Sequence, residues 1–126
     1  MVLHKYFQDF VLFLYVHVAL ADNFLHLSEE QVILEKMAIL FPHESDPKKK
    51  FEIAVTEYRA LDPAMVMTII HDSFKYFDQV KFTQKYKVFS EMYDVVNADG
   101  KVEHAEKIAL NALKEVIDMN AEMRHS

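Results

Sequence analysis

The stretch FVLFLYVHVALA, Phe10 to Ala21, decides the fold. Only His17 interrupts its apolar character. Twelve residues fall short of the roughly 20 needed to span a bilayer as a helix. The preceding His4 and Lys5 make a poor start to a signal peptide, and the helical pattern continues past any cleavage point. The segment therefore reads as a helix apolar on every side, which in a globular domain is the central helix that its neighbours surround.

Working outward, Asp-Pro pairs mark two helix starts, because Asp caps orphan N–H groups and Pro has no amide hydrogen to orphan at the first helical position. Asp46-Pro47 opens a helix to about Leu61 with Phe51, Ala54, Val55, Tyr58 and Leu61 on one face. Asp62-Pro63 opens another to about Phe77, with Met65, Met67, Ile69, Ile70, Phe74 and Phe77 as its apolar set. Three- and four-residue spacing predicts further helices over Tyr6 to Ala21, Glu29 to Phe41, Thr83 to Val96 and Glu103 to Met119. Tyr86, Phe89, Met92, Tyr93 and Val96 form the expected inner face of the fifth, and Ile108, Ala109, Leu113, Val116 and Ile117 that of the last. The aromatic and methionine stripes read as core.

Composition agrees with an all-α domain. The chain has 126 residues and one glycine, where average usage would supply roughly nine, and tight hairpins draw on glycine. Its length suits one domain over 1–126. With no cysteine, disulfides, thiolate zinc sites and cysteine nucleophiles are excluded, and a reducing, cytoplasmic location is expected. The formal charge of −6 argues against nucleic-acid binding, which rests on cationic neutralisation of phosphates. Lys48 to Lys50, and the scatter of Lys75, Lys81, Lys85 and Lys87, read as solvated helix faces.

The chain also repeats itself at an offset of 77 residues. Ala21-Asp22-Asn23-Phe24-Leu25 falls on Ala98-Asp99-Gly100-Lys101-Val102, and Glu29 falls on Glu106. Val11, Leu12, Tyr15, Val16 and Val18 fall on Val88, Phe89, Met92, Tyr93 and Val95, while Ile33, Ile39 and Leu40 fall on Leu110, Val116 and Ile117. Each copy reads as helix, Asp-bearing turn, apolar plug, and helix opening on Glu. A pseudo-twofold pairing of the two copies would bring Asp22, Glu29, Asp99 and Glu106 together, and carboxylates held close repel unless a cation or proton intervenes. Taken singly, the helix dipole accounts for a first-turn Glu and an Asx turn for the Asp.

The second copy is also a degenerate calcium loop. With Gly100 as the sixth position, Asn97, Asp99, Glu103 and Glu106 take positions three, five, nine and twelve, but Val95 stands at the first. In the first copy Val18 and Leu20 replace the early ligands, leaving Asp22 and Glu29. His26 and His104 lie beside the two turns. They either face water or complete a mixed His and carboxylate site, which would move the preference from Ca²⁺ or Mg²⁺ toward Mn²⁺ or Zn²⁺. His17, on the apolar helix, reads as a satisfied core residue.

This duplicated Ala-Asp-Asn/Gly turn, with Glu seven residues after the Asp, resembles the tellurite-resistance TerB family and its TerB-like relatives, across nearly the whole chain. The resemblance implies a single bundle of about six helices with two pseudo-twofold-related helix-turn-helix halves and an acidic, metal-binding centre. It further implies a non-enzymatic stress-response module with protein partners, and carries the family's acidic residues to Asp22, Glu29, Asp99 and Glu106. The sequence departs from the family at Asn23, where glycine is preferred, and at Leu27-Ser28-Glu29-Glu30. There Ser28 with Gln31 makes its own capping box and shifts the helix start.

Two rivals stand beside that reading. One is a structural interaction domain with no ion. The other is a metal-dependent enzyme, although the one Glu-x-x-His pair, Glu122 with His125, lies at the C-terminus, and no zinc-hydrolase, phosphate-loop or nucleophile-elbow motif occurs.

Overall fold

A computed structural model describes residues 1–98, 100 and 102–125, apart from the side chains of 82 and 120–125. The Glu122 and His125 pair therefore lies outside the described side chains. Six helices follow in order: α1 (Phe7–Ala19), α2 (Leu27–Leu40), α3 (Pro47–Arg59), α4 (Pro63–Tyr76), α5 (Phe82–Val96) and α6 (His104–His125). The fold is an all-α bundle, as the periodicity predicts, and no strand occurs among the described residues. None of the helices is long and apolar enough to cross a membrane among those residues.

α1 lies at the centre, packing against α2, α3, α5 and α6. Phe10 through Val16 are all buried, as are Val18, Ala19 and Leu20. Phe10 stacks with Phe77 at 5.7 Å and meets Phe74 edge-on at 5.1 Å, which ties α1 to α4. Tyr15 is fully buried, and its hydroxyl donates to Glu91 Oε2 at 2.5 Å from α5. That bond satisfies the one polar atom an apolar slot would otherwise orphan. Both Asp-Pro starts form as expected: Asp46 accepts from the Lys49 N–H at 3.1 Å, and Asp62 from the Ala64 N–H at 3.0 Å.

Four expectations are corrected. α2 begins at Leu27 with His26 as its N-cap, so Ser28 sits inside the first turn and the Ser28 and Gln31 box does not set the helix start. On α5 Met92 and Val96 are buried and Tyr86 and Phe89 pack partly buried against the core, as expected, but Tyr93 is exposed, and Lys85, Val88 and Val95 complete the buried stripe. Lys85, expected on a solvated face, is 1% exposed and lies 6.0 Å from the Phe74 ring. Its long alkyl stem packs like a hydrophobe, which apolar periodicity does not signal. Met65 and Ile108 are exposed despite their expected places on inner faces, Val66 and Leu110 taking the core.

Candidate functional site: the paired acidic turns

The offset of 77 residues is written into the backbone as well as the sequence. After α1 the Ala21 N–H bonds Val18 O at 3.3 Å and the Asn23 N–H bonds Leu20 O at 2.9 Å. After α5 the Ala98 N–H bonds Val95 O at 3.3 Å and the Gly100 N–H bonds Asn97 O at 3.0 Å. Asn23 and Gly100 hold positive φ of 69° and 80°, the left-handed conformation open to glycine and tolerated by asparagine. Next, Leu25 and Val102 both pack partly buried against the core as the apolar plugs. Phe24, in contrast, is 68% exposed and no plug.

Each turn then opens a helix through the same Glu-to-backbone cap. The His26 N–H donates to Glu29 Oε1 at 3.3 Å, and the Glu103 N–H donates to Glu106 Oε1 at 2.9 Å. A third-position Glu reaching back to the N-cap amide is half of a capping box. What sets these two apart is where they lie. Glu29 starts the buried stripe Glu29, Ile33, Met37 of α2, and Glu106 starts the stripe Glu106, Leu110, Leu113, Ile117 of α6. They are 2% and 1% exposed, and the Oε2 atom of each is buried with no hydrogen-bond partner.

These carboxyls meet. Burial, and then the neighbouring Glu106 carboxyl, push the Glu29 carboxyl up to about 9; the His26 N–H works against that shift and the Asp22 charge adds to it. The pair therefore holds a proton at neutral pH, with the two spare oxygens as its natural seat. At the edge of the pair, Asp22 accepts from the Phe24 N–H at 3.1 Å and meets His26 Nε2 at 3.0 Å. Burial raises the Asp22 carboxyl, but the His26 and Phe24 hydrogen bonds outweigh it and hold the group below its ordinary range. His26 Nε2 also lies 3.9 Å from Glu29 Oε1.

Of the eight residues singled out from the sequence, Asp22, His26, Glu29 and Glu106 thus form one connected group. Asn97 caps the C-terminus of α5, with an exposed side chain. Glu103 and His104 are exposed, the former contributing its backbone N–H to the site. Asp99 lies outside the described residues. Among the described residues no three His, Asp or Glu side chains are placed to share one ion. The feature that sequence reasoning missed is the burial of Glu29 and Glu106, signalled by an apolar residue four positions after each, Ile33 and Leu110.

No family model matches this chain, and no curated protein or solved structure is significantly similar to it.

Proposed function

We propose that the chain is a non-catalytic, TerB-like interaction module whose buried Glu29 and Glu106 pair exchanges its proton for a divalent cation. The observation that carries this reading is the pair of unpartnered Oε2 atoms on carboxyls that are 98–99% enclosed. A buried carboxylate left unpaired is costly, so the second oxygens call for a proton or a metal ion. Two carboxylates with waters completing the shell suit Mg²⁺ or Mn²⁺, which are held by one or two carboxylates and keep several waters. Asp22, whose charge already acts on Glu29, strengthens the attraction for a cation. Both Oε1 atoms are committed to helix caps, which supports a structural ion over a substrate-processing centre.

Calorimetric titration of Mg²⁺, Mn²⁺, Ca²⁺ and Zn²⁺ into chelator-treated protein tests this, in two buffers of different ionisation enthalpy so that released protons are counted. One ion per chain is expected, with about one proton released and binding lost in Glu29→Gln and Glu106→Gln. Silence at millimolar ion, or unchanged binding in both variants, overturns the reading. The ion-free alternative draws on the same geometry, since one shared proton satisfies both spare oxygens; it predicts a melting temperature indifferent to chelator and to added metal.

A further inference from the structure

A second feature lies outside the acidic centre. A cleft of about 500 Å³ lies between the ends of α1 and α3, the start of α4 and the first turns of α6, within the range of small-molecule sites. Its walls are apolar: Leu20, Leu61, Val66, Met67 and Ile108 line it, and Ala105, Ala109 and Ala112 on α6 keep one side shallow. Ile108 is 57% exposed there, an aliphatic side chain with nothing over it. From Ala105 to Ala112 the trough follows α6 for roughly 10 Å at 1.5 Å per residue.

Polar groups line it as well, Arg59, His17, Tyr58 and Asn23 among them. Arg59, the last residue of α3, is exposed at the rim and forms no hydrogen bond or ion pair among the described residues. His17 lines the cleft, with Nδ1 2.8 Å from the Tyr58 hydroxyl. Burial pushes this imidazole down to about 4, so it is neutral at pH 7. In the tautomer whose Nδ1 accepts from the phenol, Nε2–H is the ring's remaining donor.

The geometry points to a binding site for a monocarboxylate with a linear apolar body, a medium-chain fatty acid, its carboxylate on Arg59 and the His17 side of the cleft and its chain along Met67, Ile108 and Ala112. Charge complementarity selects this class. One guanidinium and one neutral donor match a single negative charge with two acceptor oxygens, whereas a phosphate dianion needs more cation than the cleft holds in a chain of net charge −6. A cationic amphiphile is repelled by Arg59. A neutral one leaves the guanidinium unused.

Decanoate is the test probe, titrated by calorimetry below its micelle concentration, with decanol and decyltrimethylammonium alongside. Saturable one-to-one binding of decanoate is expected, at least about tenfold tighter than decanol, the worth of one charge-assisted hydrogen bond. Arg59→Gln, at an exposed position, should erase that advantage and leave decanol unchanged; Ala112→Phe should block both. Amide shifts in the unaltered protein should concentrate on residues 20–23, 59–67 and 105–112, which decides the site even if Ala112→Phe folds poorly. No saturable decanoate binding up to about 1 mM, equal binding of decanol, indifference to Arg59→Gln, or shifts centred elsewhere overturns the proposal.

Discussion

Glu29 and Glu106 carry the same hydrogen bond, made to the backbone three residues earlier, and turn their second oxygens into the same buried space. Each caps its own helix, and the Glu106 carboxyl disfavours the charge of Glu29. The proton they share is therefore part of the fold.

Glu29 sets the alkaline limit of stability for the metal-free protein. Its folded value of about 9 lies above the ordinary 4.5. The unfolded chain thus loses this proton first, and stability falls as pH rises between those values, by at most about 1.4 kcal/mol per pH unit. Thermal melts in chelator from pH 6.5 to 9 should show the decline in the unaltered protein and a flatter profile in Glu29→Gln, whose amide keeps an oxygen for the His26 N–H.

His17 acts at the acid end with the opposite sign. Its folded value, about 4, lies below the ordinary 6.5, so its contribution is whole above 6.5 and is lost as pH falls through 4. Replacing Tyr58 with Phe leaves Nδ1 without its hydroxyl partner and should cost about 1–3 kcal/mol in urea melts at pH 7. The double variant His17→Phe, Tyr58→Phe should recover much of that loss and should also lose the acid sensitivity.

The two turns differ in how much their φ angles cost. A Cβ at Gly100 meets nothing within 4 Å, so conformation alone opposes a side chain there. Gly100→Ala should destabilise by about 1–2 kcal/mol, and Gly100→Val by more, through β-branching. Asn23→Gly should change stability by less than about 1 kcal/mol, since it removes strain but loosens the unfolded chain. Denaturant midpoints check all three; in cation titrations Gly100→Val should weaken binding before the bundle unfolds.

Helix starts provide a further contrast. Asp46→Ala and Asp62→Ala each remove an observed cap and should cost about 1 kcal/mol. Ser28→Ala should cost less than about 0.5 kcal/mol, because Ser28 lies within the first turn and caps nothing. Equilibrium unfolding of the three variants separates the cases.

Much of the bundle was legible in the chain because its signals are local. Asp46-Pro47 and Asp62-Pro63 mark helix starts by steric and hydrogen-bonding rules that need no partner, and an apolar run as dense as Phe10 to Ala21 has one place to go. On α5 the places of Met92 and Val96 were legible but the burial of Lys85 was not, since it occupies a core position whose occupant is chosen by tertiary surroundings. The acidic pair shows the same divide. Repetition of Asp and Glu at a fixed offset can be read in one dimension, whereas the burial of Glu29 and Glu106, and the space their second oxygens share, depends on where α2 and α6 lie in three.

The position of α1 carries a consequence for synthesis. Its partners α5 and α6 begin at Phe82 and His104, so at about 5–20 residues per second the ribosome leaves the most apolar segment incompletely covered for several seconds. Pausing late in translation, or a stop codon before α5, therefore exposes a strongly sticky helix to chaperones and to other nascent chains. Fragments ending near Val80 should be recovered in aggregates or bound to holdases, and quality control for this protein is a question of finishing the chain quickly.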